Sequence, residues 1–172
     1  MNTRLLLFLL SLMGLFSCSK TPLETVTELD LEKYQGTWYE IARLPNSFEK
    51  NLSCVSATYS VKENGKIKVL NKGYNSKTAK LKTITGTATV PNSNYPGRLS
   101  VSFFWPFAGD YYVMALAQDY GYALVGSPSR EYLWILARNK TLDEKIIDEL
   151  SQKAKEKGFP VEKIQRIDQT CD

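Results

Sequence analysis

Between Gly36 and Arg138 apolar and polar positions alternate with a period of two, broken at short intervals by Gly, Pro, Asn and Asp. "CVSATYSV" shows the pattern most plainly. Val55, Ala57, Tyr59 and Val61 share one face, and Ser56, Thr58 and Ser60 share the other. Asn64-Gly65 follows, a strong hairpin signal because both residues tolerate positive φ. "WYEIARL" precedes this strand, and "IKVLNKGYN" and "LKTITGTATV" come after it, the latter ended by Pro91. "GRLSVSFFW" sets Leu99, Val101 and Phe103 against Ser100, Ser102 and Phe104, and the alternation does not say which set faces inward. "DYYVMALA", "YALVGS" and "EYLWILAR" complete about eight strands on short connections. Eight antiparallel strands in meander order can close into a barrel with room for one small ligand. The same strands can also form an open sandwich.

One helix follows. Thr141 to Glu144 reads as a capping box, and Leu142, Ile146, Leu150 and Ala154, with Ile147 beside them, form an apolar stripe. Gly158 ends it. The stripe predicts packing on the outside of the sheet.

The N-terminus reads differently. One charge, Arg4, precedes an apolar run from Leu5 to Phe16, too short to span a bilayer. The run fits the h-region of a secretory signal peptide, and "LFSC" resembles a bacterial lipobox, which makes Cys18 the expected lipidation site. The expected organisation is residues 1–17 as lipoprotein signal peptide, 18–28 as lipidated tether and 29–172 as the barrel domain.

Without residues 1–17 the chain has 21 basic and 18 acidic side chains, a balance that offers no pull toward nucleic acid. The ten tyrosines and 12% aromatic content favour strands. Histidine is absent, which removes His-based triads, His-containing zinc sites and the commonest general base. Three cysteines cannot make a four-thiolate zinc site, so no metal or cofactor is expected. If Cys18 carries lipid, Cys54 and Cys171 remain, and in an exported protein two such cysteines read as a disulfide.

Three motifs now stand in order: "GTW" at Gly36–Trp38, "QDYGYA" holding Asp119 and Tyr120, and Arg138 ending "LWILAR". With a helix after the third, the sequence resembles the lipocalin family over residues 29–172, most closely its bacterial outer-membrane members and the related apolipoprotein D. The resemblance implies an all-β fold, an eight-stranded antiparallel up-and-down barrel with a C-terminal helix packed outside. It implies that Trp38 closes the narrow end with the Arg138 guanidinium across its ring, and that Gly36 allows a tight turn beneath. It further implies a Cys54–Cys171 bridge that pins the C-terminal tail to the second strand.

Ligand contacts must come from inward positions. If Trp38 points inward, Glu40 and Ala42 share its side; if Arg138 marks the floor, Tyr132 and Trp134 share its side farther up. Phe103 is the expected cavity residue of its strand. The long segment "LPNSFEKNLS" is expected to cover the open end, with Phe48 and Leu52 at the entrance and Arg43 and Lys50 near a ligand head group. The resemblance implies a fatty acid or lysophospholipid held for storage or transport of envelope lipids. A retinoid or haem-like ligand is the alternative, as is a lipocalin-type enzyme acting on a hydrophobic ligand. Without histidine, and with Glu40 as the single inward acid, no catalytic residue is nominated and binding is favoured over catalysis. Ser19, rather than aspartate, after Cys18 implies the outer membrane, with the domain facing the periplasm.

Overall fold

The computed structural model describes residues 22–171. The expected signal peptide and Cys18 lie outside the described residues. Eight strands close on themselves: β1 (Gly36–Arg43), β2 (Leu52–Val61), β3 (Ile67–Asn75), β4 (Lys80–Thr89), β5 (Arg98–Phe104), β6 (Phe107–Leu116), β7 (Tyr122–Gly126) and β8 (Leu133–Ala137). Each pairs antiparallel with the next, and β1 pairs with both β8 and β2, which closes the barrel. The meander expected from the short connections is therefore the observed topology. β5 turns Leu99, Val101 and Phe103 into the cluster that holds Trp38, which settles its inward face.

The turn after β2 differs in type from a two-residue primed hairpin. Only Gly65 takes positive φ, at 74°, while the Asn64 side chain accepts from the Lys66 N–H. Asn64 stabilises the loop through its oxygen rather than through its backbone.

Three short elements escape the alternation, one of them the 3₁₀ turn Val161–Lys163. Helix α1 (Leu31–Tyr34) precedes β1, capped by Asp30, whose Oδ1 accepts from the Glu32 and Lys33 N–H groups. Strand β9 (Gln165–Arg166) pairs with the upper end of β1. The segment before α1 also packs on the barrel: Leu23 is buried, and the Val26 N–H donates to the Val113 carbonyl.

Helix α2 (Glu144–Glu156) covers the outer face of β1, β6, β7 and β8 through Ile147, Leu150 and Ala154. Leu142 and Ile146 pack against the same cluster, half-buried. The expected capping box is not formed. Asp143 is the N-cap, and its carboxylate accepts from the Lys145 N–H at 2.8 Å. Glu144 is thus the first helical residue and cannot reach back as a third one would; the Asp143 carboxyl, two positions nearer the helix, takes the cap in place of the Thr141 hydroxyl. At the other end Gly158, with φ 84°, lets the Phe159 N–H bond the Ala154 carbonyl and the Gly158 N–H bond that of Lys155. This Schellman pattern drops Phe159 into the outer core.

A bulge in β1 between Glu40 and Ala42 reorganises the site. Trp38 and Glu40 point inward, but Ile41 and Ala42 both belong to the helix-facing cluster, and Arg43 turns in. Ala42 therefore does not line the cavity; the extra residue shifts the alternation by one, so Arg43 takes its place.

β1 and β2 pair through only four residues, Gly36–Tyr39 with Ser56–Tyr59. Above them the C-terminal tail seals the seam. Gln169 Nε2 donates to the Glu40 and Val55 carbonyls, the Cys54 N–H donates to Asp168 O, and Cys54 is bonded to Cys171. The disulfide closes a separation of 117 residues.

Candidate functional site: the barrel interior and its mouth

The floor of the barrel is built on Trp38, fully buried, whose indole N–H donates to the Tyr34 carbonyl at 2.9 Å. The Arg138 guanidinium lies 3.9 Å from the indole centroid. It also donates to the carbonyls of Lys33, Thr37 and Tyr120. Gly36 has φ 89°, and a Cβ there would sit 3.3 Å from Arg138 Nη1, so two separate constraints call for glycine. Tyr120, also at positive φ, accepts the Asp30 N–H at its hydroxyl, and Asp119 caps its own turn at Gly121. All five motif residues thus serve the closed end.

Just above the floor three phenols form a chain. Tyr59 donates to Tyr111 at 2.9 Å, and Tyr111 and Tyr34 share a bond of 2.8 Å. Burial pushes all three hydroxyl pKa values upward, so they stay neutral. Farther up, Ala57, Val101 and Phe103 pack toward the same interior and remain half-buried. Two hollows of about 380 and 670 Å³ lie outside the barrel, one beneath Arg138 and the other between Leu23, Met114 and the end of α2.

The upper interior holds an acid pair on one guanidinium. Arg43 donates to Glu40 Oε1 at 2.5 Å, to the Glu49 and Leu52 carbonyls, and lies 3.9 Å from the Glu49 carboxylate. All three side chains are buried. Glu49 also accepts from Asn46 at 2.6 Å and from the Trp134 indole at 3.1 Å. Burial, and then the Glu49 carboxylate, push the Glu40 carboxyl well above the usual range, against the pull of Arg43. One guanidinium faces two buried carboxylates, so the charged form of Glu40 is only partly compensated.

At the mouth Phe48, Tyr132 and Trp134 form an aromatic group. Phe48 is 5.6 Å from Tyr132 and 6.4 Å from Trp134, while Tyr132 and Trp134 lie nearly parallel at 6.1 Å. Leu52 packs over Gly73 with Val55. Of the expected cavity residues, Glu40, Phe48, Leu52, Phe103, Tyr132 and Trp134 thus gather inside or at the mouth, and Ala42 does not. Two further expectations change. Arg43 is committed to Glu40 and Glu49 and is not free at the rim for a head group, since the bulge turns it inward. Glu40 is not a lone acid, because Glu49 reaches in from the covering loop. Lys50 is exposed. The signal for Glu49 was local: Asn46 three residues earlier accepts its N–H, a turn that folds the loop inward. Among the described residues no cluster of three metal-ligating side chains occurs.

The profile of the Lipocalin-like domain matches residues 29–169. The chain is 42% identical to the outer membrane lipoprotein Blc of Vibrio cholerae over 145 residues, which covers 84% of this chain and 85% of that one. It is also 42% identical to Blc of Escherichia coli K12, over 85% of this chain and 84% of that one. Apolipoprotein D of Macaca fascicularis is 38% identical over 96% of this chain and 95% of its own. Among solved structures, insecticyanin of Manduca sexta superposes with a TM-score of 0.70 at 21% identity, covering 85% of this chain and 84% of that one. The sequence profile, the closed eight-stranded barrel and the Trp38–Arg138 floor agree, and the chain belongs to the lipocalin family.

Proposed function

We propose that this protein is a membrane-anchored lipid binder that holds a fatty acid or lysophospholipid in its barrel, in the storage or transport of envelope lipids. The observation that carries this reading is the gradient inside the barrel, from the sealed Trp38 floor through half-buried Val101 and Phe103 to the aromatic mouth. Such a lining suits a small hydrophobic ligand with its polar end near water. The Blc relatives, named as outer membrane lipoproteins, support an outer-membrane location, and Cys18 is the proposed lipidation site, with the domain facing the periplasm. We read the protein as a binder rather than an enzyme. Glu40 and Glu49 are the interior acids of the described chain, and both are held by Arg43 instead of facing an open position.

Mass spectrometry of lipids co-purified with the native protein tests the reading, followed by titration with fatty acids of increasing length. Burial contributes about 0.8 kcal/mol per CH₂, so affinity climbs with chain length and flattens once the tail reaches the floor. An affinity that ignores chain length would overturn it.

A further inference from the structure

Charge is distributed unevenly along this chain. Between Glu63 and Asp110 there is no acidic residue, while there are seven basic ones: Lys66, Lys68, Lys72, Lys77, Lys80, Lys82 and Arg98. The remainder has fifteen basic and eighteen acidic residues, a net negative balance. The acid-free span builds β3, β4 and β5, one continuous wall of the barrel. Lys72, Lys77, Lys80 and Lys82 crowd the β3–β4 hairpin, which points to the mouth, and all four are exposed.

The next hairpin in the same wall, β5–β6, reaches the same end and carries the opposite chemistry. Phe104, Trp105 and Phe107 at its tip are 71%, 92% and 77% exposed. Single exposed apolar side chains are ordinary, but three large aromatics on one tip mark a surface that something covers. The wall is also incomplete between these hairpins. β4 pairs with β5 only through Thr87, Ala88 and Thr89, so above Gly86 its hydrogen-bonded neighbour is β3 alone. A slot thus runs down from the mouth, with lysines on one side and aromatics on the other.

We propose that the mouth of the barrel docks on an anionic lipid surface, the β5–β6 tip entering the headgroup–acyl boundary and the β3–β4 lysines lying over the headgroups. Indole and phenyl groups favour that boundary, and each lysine near an anionic surface strengthens binding about fivefold. A second copy is a poorer occupant, because apposing two such faces would bring two lysine-rich hairpins together with no acid in either. Docked this way, the mouth and its slot open into the bilayer, and an acyl chain passes between membrane and barrel without crossing water.

The test uses the mature chain, residues 18–172, carrying Cys18→Ser so that no attached acyl chain contributes. It is sedimented with vesicles of phosphatidylcholine alone and of phosphatidylcholine mixed with phosphatidylglycerol. Binding to the anionic vesicles and a blue shift of tryptophan emission are expected. The pair Trp105→Ser and Phe107→Ser should abolish the shift and weaken binding about tenfold or more. The pair Lys80→Gln and Lys82→Gln should weaken binding to anionic vesicles by at least about tenfold and leave neutral vesicles unaffected. Both pairs are exposed, so unchanged circular dichroism is expected alongside. Absence of binding to anionic vesicles, or binding that neither pair alters, overturns the proposal. So does a solution dimer that Trp105→Ser converts to monomer without any vesicle binding, which would assign the face to a second copy.

Discussion

The Arg138 guanidinium stacks 3.9 Å from the centre of the Trp38 indole and holds three carbonyls from the chain beneath it. One side chain thus ties α1, β1 and the β6–β7 turn to the plug of the barrel. Burial lowers its pKa, but from so high a value that the charge is kept.

Arg138→Met should therefore cost about 3 kcal/mol, the loss of a cation–π contact together with charge-assisted hydrogen bonds. Arg138→Lys should recover only part, since an ammonium cannot span three carbonyls and a ring. Urea denaturation of the three proteins measures both effects, and a loss below about 1 kcal/mol for the methionine variant would mean the floor holds without it.

The Cys54–Cys171 bridge fastens the tail that fills the β1–β2 seam. Its long loop gives an upper bound of about 4–5 kcal/mol in the chain-entropy model. Replacing both cysteines by alanine should lower the melting temperature sharply and expose residues 165–171 to proteolysis first. Native, unreduced protein should show neither Cys54 nor Cys171 to an alkylating agent.

Glu40 sets a pH dependence whose sign is fixed by its raised pKa. The folded state holds its proton more tightly than the unfolded chain does, so the contribution is fully present below the ordinary value of 4.5. It is lost as pH rises toward the folded pKa. Urea midpoints measured from about pH 4 to pH 9 should show that decline, and Glu40→Gln should flatten it. Arg43→Met should be far worse, by about 3–5 kcal/mol at neutral pH, because it leaves two buried acids without their cation.

Trp134 is the tryptophan placed to report a ligand, since it shares the mouth with Phe48 and Tyr132 and donates to Glu49. Its fluorescence should change on fatty-acid titration, and Trp134→Phe should remove most of that change. Phe48→Ala should weaken binding about fivefold through lost contact area at the entrance. A signal that survives Trp134→Phe intact would place the responding tryptophan elsewhere.

Cys18→Ala should make the protein releasable from membranes by a high-salt wash, which screens lysine–headgroup contacts but leaves a lipid-anchored chain in place. The measurement is membrane fractionation after that wash, and unchanged association would show that the anchor is not at this cysteine.

Much of this molecule was legible in the sequence because much of it is local. Period-two alternation marked all eight barrel strands, and Gly158 fixed the helix end through its own backbone freedom. The motif residues Gly36, Trp38 and Arg138 gave the floor through the resemblance they carry. The site was legible only as far as the alternation ran unbroken, which was enough for Glu40 and Trp134, while β5 kept two possible faces until the closed barrel turned Phe103 inward. The rest was decided by tertiary structure. The bulge after Glu40 exchanged Ala42 for Arg43, and no count along β1 could show it, because the extra residue exists only relative to the pairing with β8. Glu49 became an interior acid because its loop folds back over Arg43 and Trp134, partners six residues away and on β8. The seam that Gln169 closes and the slot beside β5 have the same origin. Both arise where neighbouring strands part, and where strands part is a property of the closed sheet, not of any one strand.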